Sequence, residues 1–470
     1  MPVRIPSVSA APAVLRCRTQ MTVHSACRML DRFLANWIPF HVENRKRLSM
    51  LQPSRQWRRH RPLPHSDRPP HMTLTSRYRS PHDLGARPHS RAQDIVFVSA
   101  QLGTAGDGLE DQIDQAVAGV VAALSEAGAT VADVVKLGVF YHRSLIASEP
   151  AILARIGAAF PADPRPVVTA IPLHTLVGGA LVQIEAIALH PHGARNARRE
   201  AAPASAACHE PGFSAAIRAG DLVFVGAQMS RDEAGATLHE GDIVGQARVT
   251  IGHIGAALGG LGADLSCVAK LNTYYVGHGT TEDWTMAARV RSDAFRKPGP
   301  GATGVPVPGP YPGGLLLRQE AIGVATPEGL AAPRDTSWPE GIWDWPVPVS
   351  FEQGLKINDL LILGGQICAN PRGEAVYPGD LAAQARNTME WIDRILAGFG
   401  AGIGDLAKVT VFIATEGGDD DITRVLKEIT PFFPAGLPAL TLVPLARLGL
   451  TGLEIEIEGI GTLVPQASPS

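Results

Sequence analysis

The stretch LEIEIEG at 453–459 places Glu454, Glu456 and Glu458 at alternate positions, on one face of a strand, with Leu453, Ile455 and Ile457 on the other. A carboxylate held on such a face can position water and move protons. A guanidinium there grips a ligand carboxylate through two parallel hydrogen bonds, and Arg318 holds a comparable place in LLLRQEAIGV at 315–324. Arg165, just before another strand, is a second candidate guanidinium, whose plainer reading is a solvated loop side chain. Cys368 follows a GGQI turn and reads first as a small apolar residue. His142 and His253 have no partner at catalytic spacing. The five cysteines form no CxxC and no Cys/His metal spacing, which fits a reducing cytoplasm and a chain without disulfides or structural zinc.

These side chains belong to a threefold repeat. DIVFVSAQLG at 94–103 returns as DLVFVGAQMS at 221–230 and DLLILGGQIC at 359–368. After each copy an amphipathic helix keeps one apolar phase: Ile113, Val117, Val120 and Leu124 match Ala247, Ile251, Ile254 and Leu258, then Ala385, Met389, Ile392 and Leu396. Gln112, Gln246 and Gln384 precede these stripes, and a Lys follows each Gln by 24 residues, at 136, 270 and 408. From that Lys to the last-strand Glu (Glu185, Glu320, Glu458) the offset is 49, 50 and 50. Each unit therefore reads as two strands, a helix, a strand, a helix and two strands, with both helices on one sheet face. The units fall at 75–192, 208–326 and 343–465, and 191–207 and 325–342 have linker composition. The aliphatic sheet face packs on the helices, and the half-polar far face invites association with its own kind. Three linked copies predict an α+β protein closed into an intramolecular pseudo-trimer around a central barrel.

The bulk numbers narrow the function. Residues 1–93 hold 17 Lys and Arg against 4 Asp and Glu, so the chain total of −3 hides a body near −16. An acidic body lacks the concentrated positive field that nucleic acid requires. No apolar run approaches the roughly 20 residues of a membrane span. The Arg-, Pro- and His-rich segment at 1–74 has no periodicity; it reads as lying upstream of a natural start at Met72, as a disordered basic tail, or as a targeting peptide.

The third unit, from SFEQGLKINDLLILGGQICANPRGE through DLAAQARNTMEWIDRILAGFGAGIGDLAKVTVFI to PALTLVPLARLGLTGLEIEIEGIG, resembles the Rid (YjgF-like, reactive intermediate deaminase) family along its length, and the other two units follow in register. The resemblance implies chorismate-mutase-like α/β sandwich units, ligand clefts between subunits, and cofactor-independent hydrolysis of reactive imines or enamines such as 2-aminoacrylate. It also implies an Arg in a P-A-R-[ST] turn, a Glu two residues before the last-strand Glu, a hydroxyl two before the opening-strand Gln and a Tyr fifteen before it. Here the Arg position holds Val168, Ala302 and Leu440, each followed by Thr (Thr169, Thr303, Thr441). The acid position holds Gln183, Arg318 and Glu456, the hydroxyl position Ser99, Gly226 and Gly364, and the Tyr position Phe213 and Phe351.

The candidate catalytic residues are thus Glu456 and Ser99. The candidate substrate-binding residues are Arg318, Arg165, Phe213, Phe351, Cys368, Thr169, Thr303 and Thr441. A buried Arg318 needs a partner: a ligand carboxylate, or Glu456 or Glu185 of a neighbouring unit. Three functions remain open. The chain is a RidA-like deaminase or related hydrolase acting on a small metabolite in an inter-unit cleft, a degenerate relative that binds a metabolite or partner, or a chorismatase-like hydrolase or lyase with Arg318 and Arg165 converging. Light scattering tests the architecture: a pseudo-trimer has the mass of one chain, with at most weak self-association, and a stable trimer of full chains would overturn it.

Overall fold

A computed structural model describes Tyr78 and residues 80–463, apart from 105, 197–198, 203–208 and 417. The basic segment 1–74 lies outside the described residues. Unit 1 consists of β1 (His89–Ala92), β2 (Ile95–Leu102), α1 (Leu109–Glu126), β3 (Val134–His142), α2 (Glu149–Ala158), β4 (Val167–Leu173) and β5 (Val182–Leu189). Unit 2 repeats this order with β6 (Ala216–Ala219), β7 (Leu222–Gln228), α3 (Ile243–Gly259), β8 (Val268–Val276), α4 (Thr281–Asp293), β9 (Gly301–Val307) and β10 (Leu317–Val324). Unit 3 has β11 (Gly354–Ile357), β12 (Leu360–Leu363), α5 (Leu381–Ala397), β13 (Leu406–Ala414), α6 (Asp419–Ile429), β14 (Leu437–Leu445) and β15 (Ile455–Thr462). Each sheet runs in the order of unit 1, β1-β2-β5-β3-β4, with β3 and β4 parallel and the other neighbours antiparallel.

The repeated glutamines have physical jobs. In each unit the helix Gln accepts from the backbone N–H that opens the last strand: Gln112 from Leu181 at 2.7 Å, Gln246 from Leu316 at 2.8 Å and Gln384 from Glu454 at 2.8 Å. Its amide donates to the carbonyl of Asp107, His239 or Tyr377 ahead of the helix, so one buried side chain ties the helix entry to the sheet. The opening-strand Gln spans an irregularity in its strand, donating to the carbonyl two residues back: Gln101 to Ser99, Gln228 to Gly226 and Gln366 to Gly364.

The stretches with linker composition also extend the sheets. Arg199–Ala201 pairs with β6 and Arg334–Ser337 with β11, while Ala86–Arg87, ahead of unit 1, runs parallel to β14 of unit 3. Strand edges that would otherwise stand open are covered in this way.

The far faces of the three sheets meet. Ile95, Phe97 and Ile187 of unit 1 pack with Leu222, Phe224 and Ile322 of unit 2 and Leu360, Ile362 and Ile460 of unit 3. Full burial of one such side chain contributes about 1.5–3 kcal/mol. Beside this apolar layer lies a ring of ion pairs, each joining one unit to the next. Lys136 meets Glu320 at 2.9 Å, Lys270 meets Glu458 at 2.8 Å and Lys408 meets Glu185 at 2.7 Å, so the chain of contacts closes on itself. Thr169, Thr303 and Thr441 donate to the same glutamates, and Thr303 and Thr441 accept from the lysines of their own units. Burial opposes the charge of Lys136 and of Glu185, yet the surrounding opposite charges outweigh it, holding the Lys136 pKa above and the Glu185 pKa below their ordinary values.

Across the apolar layer, Asp94, Asp221 and Asp359 converge on one residue, Arg195 of the first linker. Its guanidinium reaches them at 2.5, 2.7 and 3.3 Å, with 13% of its side chain exposed. Arg195→Met leaves three carboxylates together without their cation, and by the cost of breaking a buried pair it should destabilise the protein by about 3 kcal/mol. Urea unfolding should show that loss, and a smaller one when Asp94→Asn and Asp221→Asn are already present.

Candidate functional site

Each contact between units sets the penultimate strand of one against the opening strand of the next. Gly226 lies against Val168, Gly364 against Ala302, and Ser99 against Leu440, where a Cβ on either glycine would come within 3.4 Å of backbone. The positions singled out in the sequence therefore gather at three places, and each place differs.

Between units 1 and 2 the space is filled by an ion pair. Arg318 is fully buried and takes Glu149 of α2 through two bonds of 2.9 and 2.7 Å, with Glu210 at 3.1 Å. Its guanidinium also stacks 4.6 Å from the centre of Tyr311, and Tyr141 donates to Glu149 at 2.5 Å. Burial opposes the Arg318 charge, but Glu210 and Glu149 hold its pKa above the ordinary arginine value. Burial and the charge of Glu149 push the Glu210 carboxyl upward despite Arg318. Neither Glu456 nor Glu185, the neighbours expected from sequence, is the partner of Arg318; two glutamates of the adjoining α2 and of the chain before β6 take it. Arg165 donates to the carbonyls of Gly157 and Gly212 at 3.2 and 3.4 Å, and buried Phe213 packs on Gly157. Arg165 and Arg318 thus do not present a pair of free guanidinium groups to one cleft.

Between units 3 and 1 the contact is apolar and backbone-bonded. Ser99 donates to the Arg87 carbonyl at 2.6 Å and accepts from Leu440 N–H at 2.8 Å, while Gln183 donates to the Leu442 carbonyl at 3.1 Å. Ser99 and Glu456 therefore lie at different unit contacts.

Between units 2 and 3 a narrow cleft remains, whose space comes to about 410 Å³ only when the open solvent at its mouth is counted in. Glu456 of β15 lines it together with Arg291, which α4 of unit 2 supplies. The apolar stripe Trp284, Ala287, Ala288 turns Arg291 inward on that helix, and the residue is 1% exposed. Nε of Arg291 donates to its own helix at the Ala287 carbonyl, 3.1 Å away, whereas Nη1 has no hydrogen-bond partner. Glycine at 304 makes room, because a Cβ there would stand 3.0 Å from Nη2. Glycine at 365 is needed too, since a Cβ would collide with Oε1 of Glu456 at 1.9 Å. Trp343, Trp345 and Phe351 form the wall, with the guanidinium 5.7 Å from the Phe351 ring centre. The Tyr275 hydroxyl, also buried and unpartnered, lies 3.3 Å from where a Gly449 Cβ would sit on the cleft lining.

The electrostatics suit an electron-rich ligand. Burial, and then the charge of Glu458, push the Glu456 pKa up to about 8, so its carboxyl carries a proton at neutral pH. Burial pushes the Arg291 pKa down to about 10, which leaves it charged there. A buried cation with an unpartnered donor, beside a neutral carboxyl, favours a ligand that brings an anionic oxygen and accepts a hydrogen bond.

The remaining sequence candidates lie elsewhere. Thr169, Thr303 and Thr441 belong to the Lys–Glu ring. Cys368 contacts Asn387 at 3.0 Å, and burial pushes its thiol up to about 12, far from the thiolate a nucleophile needs. Among the described residues no group of three or more His, Cys, Asp or Glu is placed to hold a metal, and no helix is long and apolar enough to cross a membrane. The sequence reading missed Arg291 and the two tryptophans, and it took Tyr275 for a plain strand residue. An Arg at a stripe position of a helix that carries Trp284 seven residues earlier was the available signal for the first.

The family model described as Endoribonuclease L-PSP matches the chain three times, over residues 87–190, 201–310 and 346–463. A 2-iminobutanoate/2-iminopropanoate deaminase of Escherichia coli K12 is 35% identical over 113 residues, 23% of this chain and 84% of that protein. A RutC family protein of Pyrococcus horikoshii is 31% identical over 116 residues, 24% of this chain and 89% of that protein. Among solved structures, the YjgF gene product of Escherichia coli shares 30% identity with a TM-score of 0.25, over 28% of this chain and 99% of that one. A chorismatase aligns at 16% identity and a TM-score of 0.48, over 70% of this chain and 93% of that one.

The proton on Glu456 has a thermodynamic signature. Its folded pKa of about 8 stands above the ordinary 4.5, so the native state binds the proton more tightly than the unfolded chain does. Stability is therefore full below about pH 4.5 and falls, through this group, as pH rises to about 8. Glu456→Gln should remove that part of the slope, on the order of a few kcal/mol, when urea unfolding is compared between pH 5 and 9.

Proposed function

The chain belongs to the Endoribonuclease L-PSP, or Rid, family, and on that footing we propose that it hydrolyses imines of small 2-oxo acids in the cleft between its second and third units. One observation carries the reading: Arg291 brings from a helix the buried guanidinium that the family's strand position, here Ala302, has lost, and aims it into the cleft that keeps Glu456. The activity for which the Escherichia coli relative is named supplies the reaction class. The cyclic Lys–Glu contacts support a companion proposal, that the three units stand as an intramolecular pseudo-trimer with one working cleft.

In this mechanism Arg291 grips the substrate carboxylate and orients the C=N bond. Glu456, protonated at neutral pH, passes its proton to the imine nitrogen and makes the carbon electrophilic. Water adds to that carbon and returns a proton to the Glu456 carboxylate. The resulting carbinolamine collapses as Glu456 passes that proton to the amine nitrogen: the C–N bond breaks and ammonia leaves, while the hydroxyl becomes the carbonyl and gives its proton back to the Glu456 carboxylate. One water is consumed and Glu456 ends as it began. Tyr275, whose phenol burial keeps protonated, is a further donor near the cleft wall.

A second reading has support in the replacement of the Arg position by Val168, Ala302 and Leu440 in all three units. In it the protein binds a small anionic metabolite at the same cleft without turning it over.

An amino-acid oxidase that makes imines in situ separates the two readings. Ammonia should appear faster than in buffer, and a rate equal to buffer sinks the hydrolase. Glu456→Gln should abolish turnover, and Arg291→Met should lower kcat/KM by about 100-fold. The rate should decline as pH rises through about 8, where Glu456 loses the proton it donates.

A further inference from the structure

Around Arg291 and Glu456 the cleft is nearly shut. Its enclosed part measures about 20 Å³, on a scale where one water needs about 10–15 Å³. An organic ligand that reaches both groups therefore needs one wall to move, and the walls are held very differently. Helix α4 and strands β9 and β15 carry Arg291, Ala302, Gly304 and Glu456, and regular main-chain hydrogen bonds fix them. The turn at 449–453 is tied through Gln384, whose amide donates to the Gly452 carbonyl at 2.8 Å. Trp343 is pinned twice: its indole donates to Gln366 at 3.0 Å, and its carbonyl accepts from Gln353 at 3.1 Å. Phe351 is buried, and the N–H of Glu352 beside it donates to the Pro300 carbonyl at 3.0 Å.

Between the last two anchors runs WPVPV at 345–349. Pro346 and Pro348 have no N–H, and among the described residues none of 346–349 makes a main-chain hydrogen bond. The Trp345 N–H reaches only the neighbouring Asp344 carboxylate, at 2.6 Å. Apolar contacts hold the segment down. Half-buried Trp345 meets Trp343, Trp338 and Phe351 edge-on, with ring centres 4.9, 5.3 and 6.3 Å apart, and Val347 and Val349 pack beneath. At the far end the Ser350 N–H donates at 2.6 Å to Oγ of Ser292, the residue after Arg291 on α4.

We infer that residues 345–349 form a strap that lifts to admit a ligand to Arg291 and then closes over it, with Asp344 and Ser350 as its hinges. This inference rests on the reading of the cleft as the place where imines are bound and hydrolysed. Lifting the strap breaks ring contacts and the Ser350–Ser292 bond, whereas every other wall gives up hydrogen bonds of a strand, a helix or a buried glutamine, so the strap is the wall that opens at least cost. Two prolines in five residues restrict its own bending, which concentrates the motion at its ends. Closing it expels water from around the buried guanidinium and carboxyl, as lids over reactive sites do.

Phenylglyoxal tests the strap without turnover. It adds to arginine guanidinium groups, it is too large for the enclosed space, and peptide mass spectrometry of the full chain gives its rate at each arginine. Arg291 should react at least about tenfold more slowly than exposed Arg143. Pro346→Gly combined with Pro348→Gly loosens the strap, and Ser292→Ala removes the bond at its hinge; none of these residues lines the cleft. Each variant should speed the modification of Arg291 by about fivefold, while Arg318, buried and paired, stays unmodified. An Arg291 as reactive as Arg143, or an Arg291 rate that either variant leaves where it was, overturns the strap. So does an Arg318 that becomes reactive in step with Arg291, because the opening is then unfolding. If both variants expose Arg291 and no ammonia is released from imines, the hydrolase reading fails and the strap stands. If ammonia is released and the Arg291 rates do not move, the strap fails and the hydrolase stands.

Discussion

A charge removed from water must meet its opposite, and the centre of this protein is organised by that requirement. Three lysines and three glutamates come together where the sheets meet, and each makes its direct ion pair with a residue of another unit. Lys136 finds Glu320, Lys270 finds Glu458 and Lys408 finds Glu185, each in another unit. Removing any one of the six side chains would leave its partner buried and unmatched, at a cost of several kcal/mol. The same rule explains Arg195. Repeating the opening strand three times also repeats its first Asp three times, and these carboxylates would repel one another where they converge. One guanidinium from a linker resolves the conflict.

The demand for paired charge also separates the clefts. The cleft between units 1 and 2 has an Arg at the last-strand acid position, and Glu149 and Glu210 neutralise it, which leaves a closed, stable contact. The contact between units 3 and 1 is tied by Ser99 and Gln183 to the backbone of Leu440 and Leu442. Only between units 2 and 3 does a buried guanidinium lack a carboxylate partner, among the described residues of the three contacts. Chemistry and stability make opposite demands there, since the groups that would bind a ligand are those the fold leaves unmatched.

Much of this could be read from the chain. The order of elements, the helical stripes and the repeated Gln, Lys and Glu positions were legible because each copy had to satisfy the same backbone and the same neighbours. Gln112, Gln246 and Gln384 recur because the first N–H of the last strand must be capped in every unit. The site was less legible. Ala302 signalled a lost arginine, but nothing in strand alternation could show that Arg291, from another element, fills the space. The guanidinium groups on and beside the strands, Arg318 and Arg165, serve the fold in the structure. Trp343 and Trp345 lay beside a stretch of linker composition, where proline and glycine hide the fact that a segment lines a cleft. Periodicity reports how an element lies on its own sheet and is silent about what it reaches on the next.

Arg195 has a consequence of a different kind. In an assembly of identical subunits every gene change is made three times over, so a residue that sits once at the meeting point of three copies has no symmetric counterpart, and a cleft cannot be altered without altering its two sisters. A single reading frame lifts both restrictions. One codon in a linker can serve three carboxylates at once. A codon in one unit can likewise turn one cleft into a strut, another into packing and leave the third for a ligand, so inheritance can act on each cleft separately.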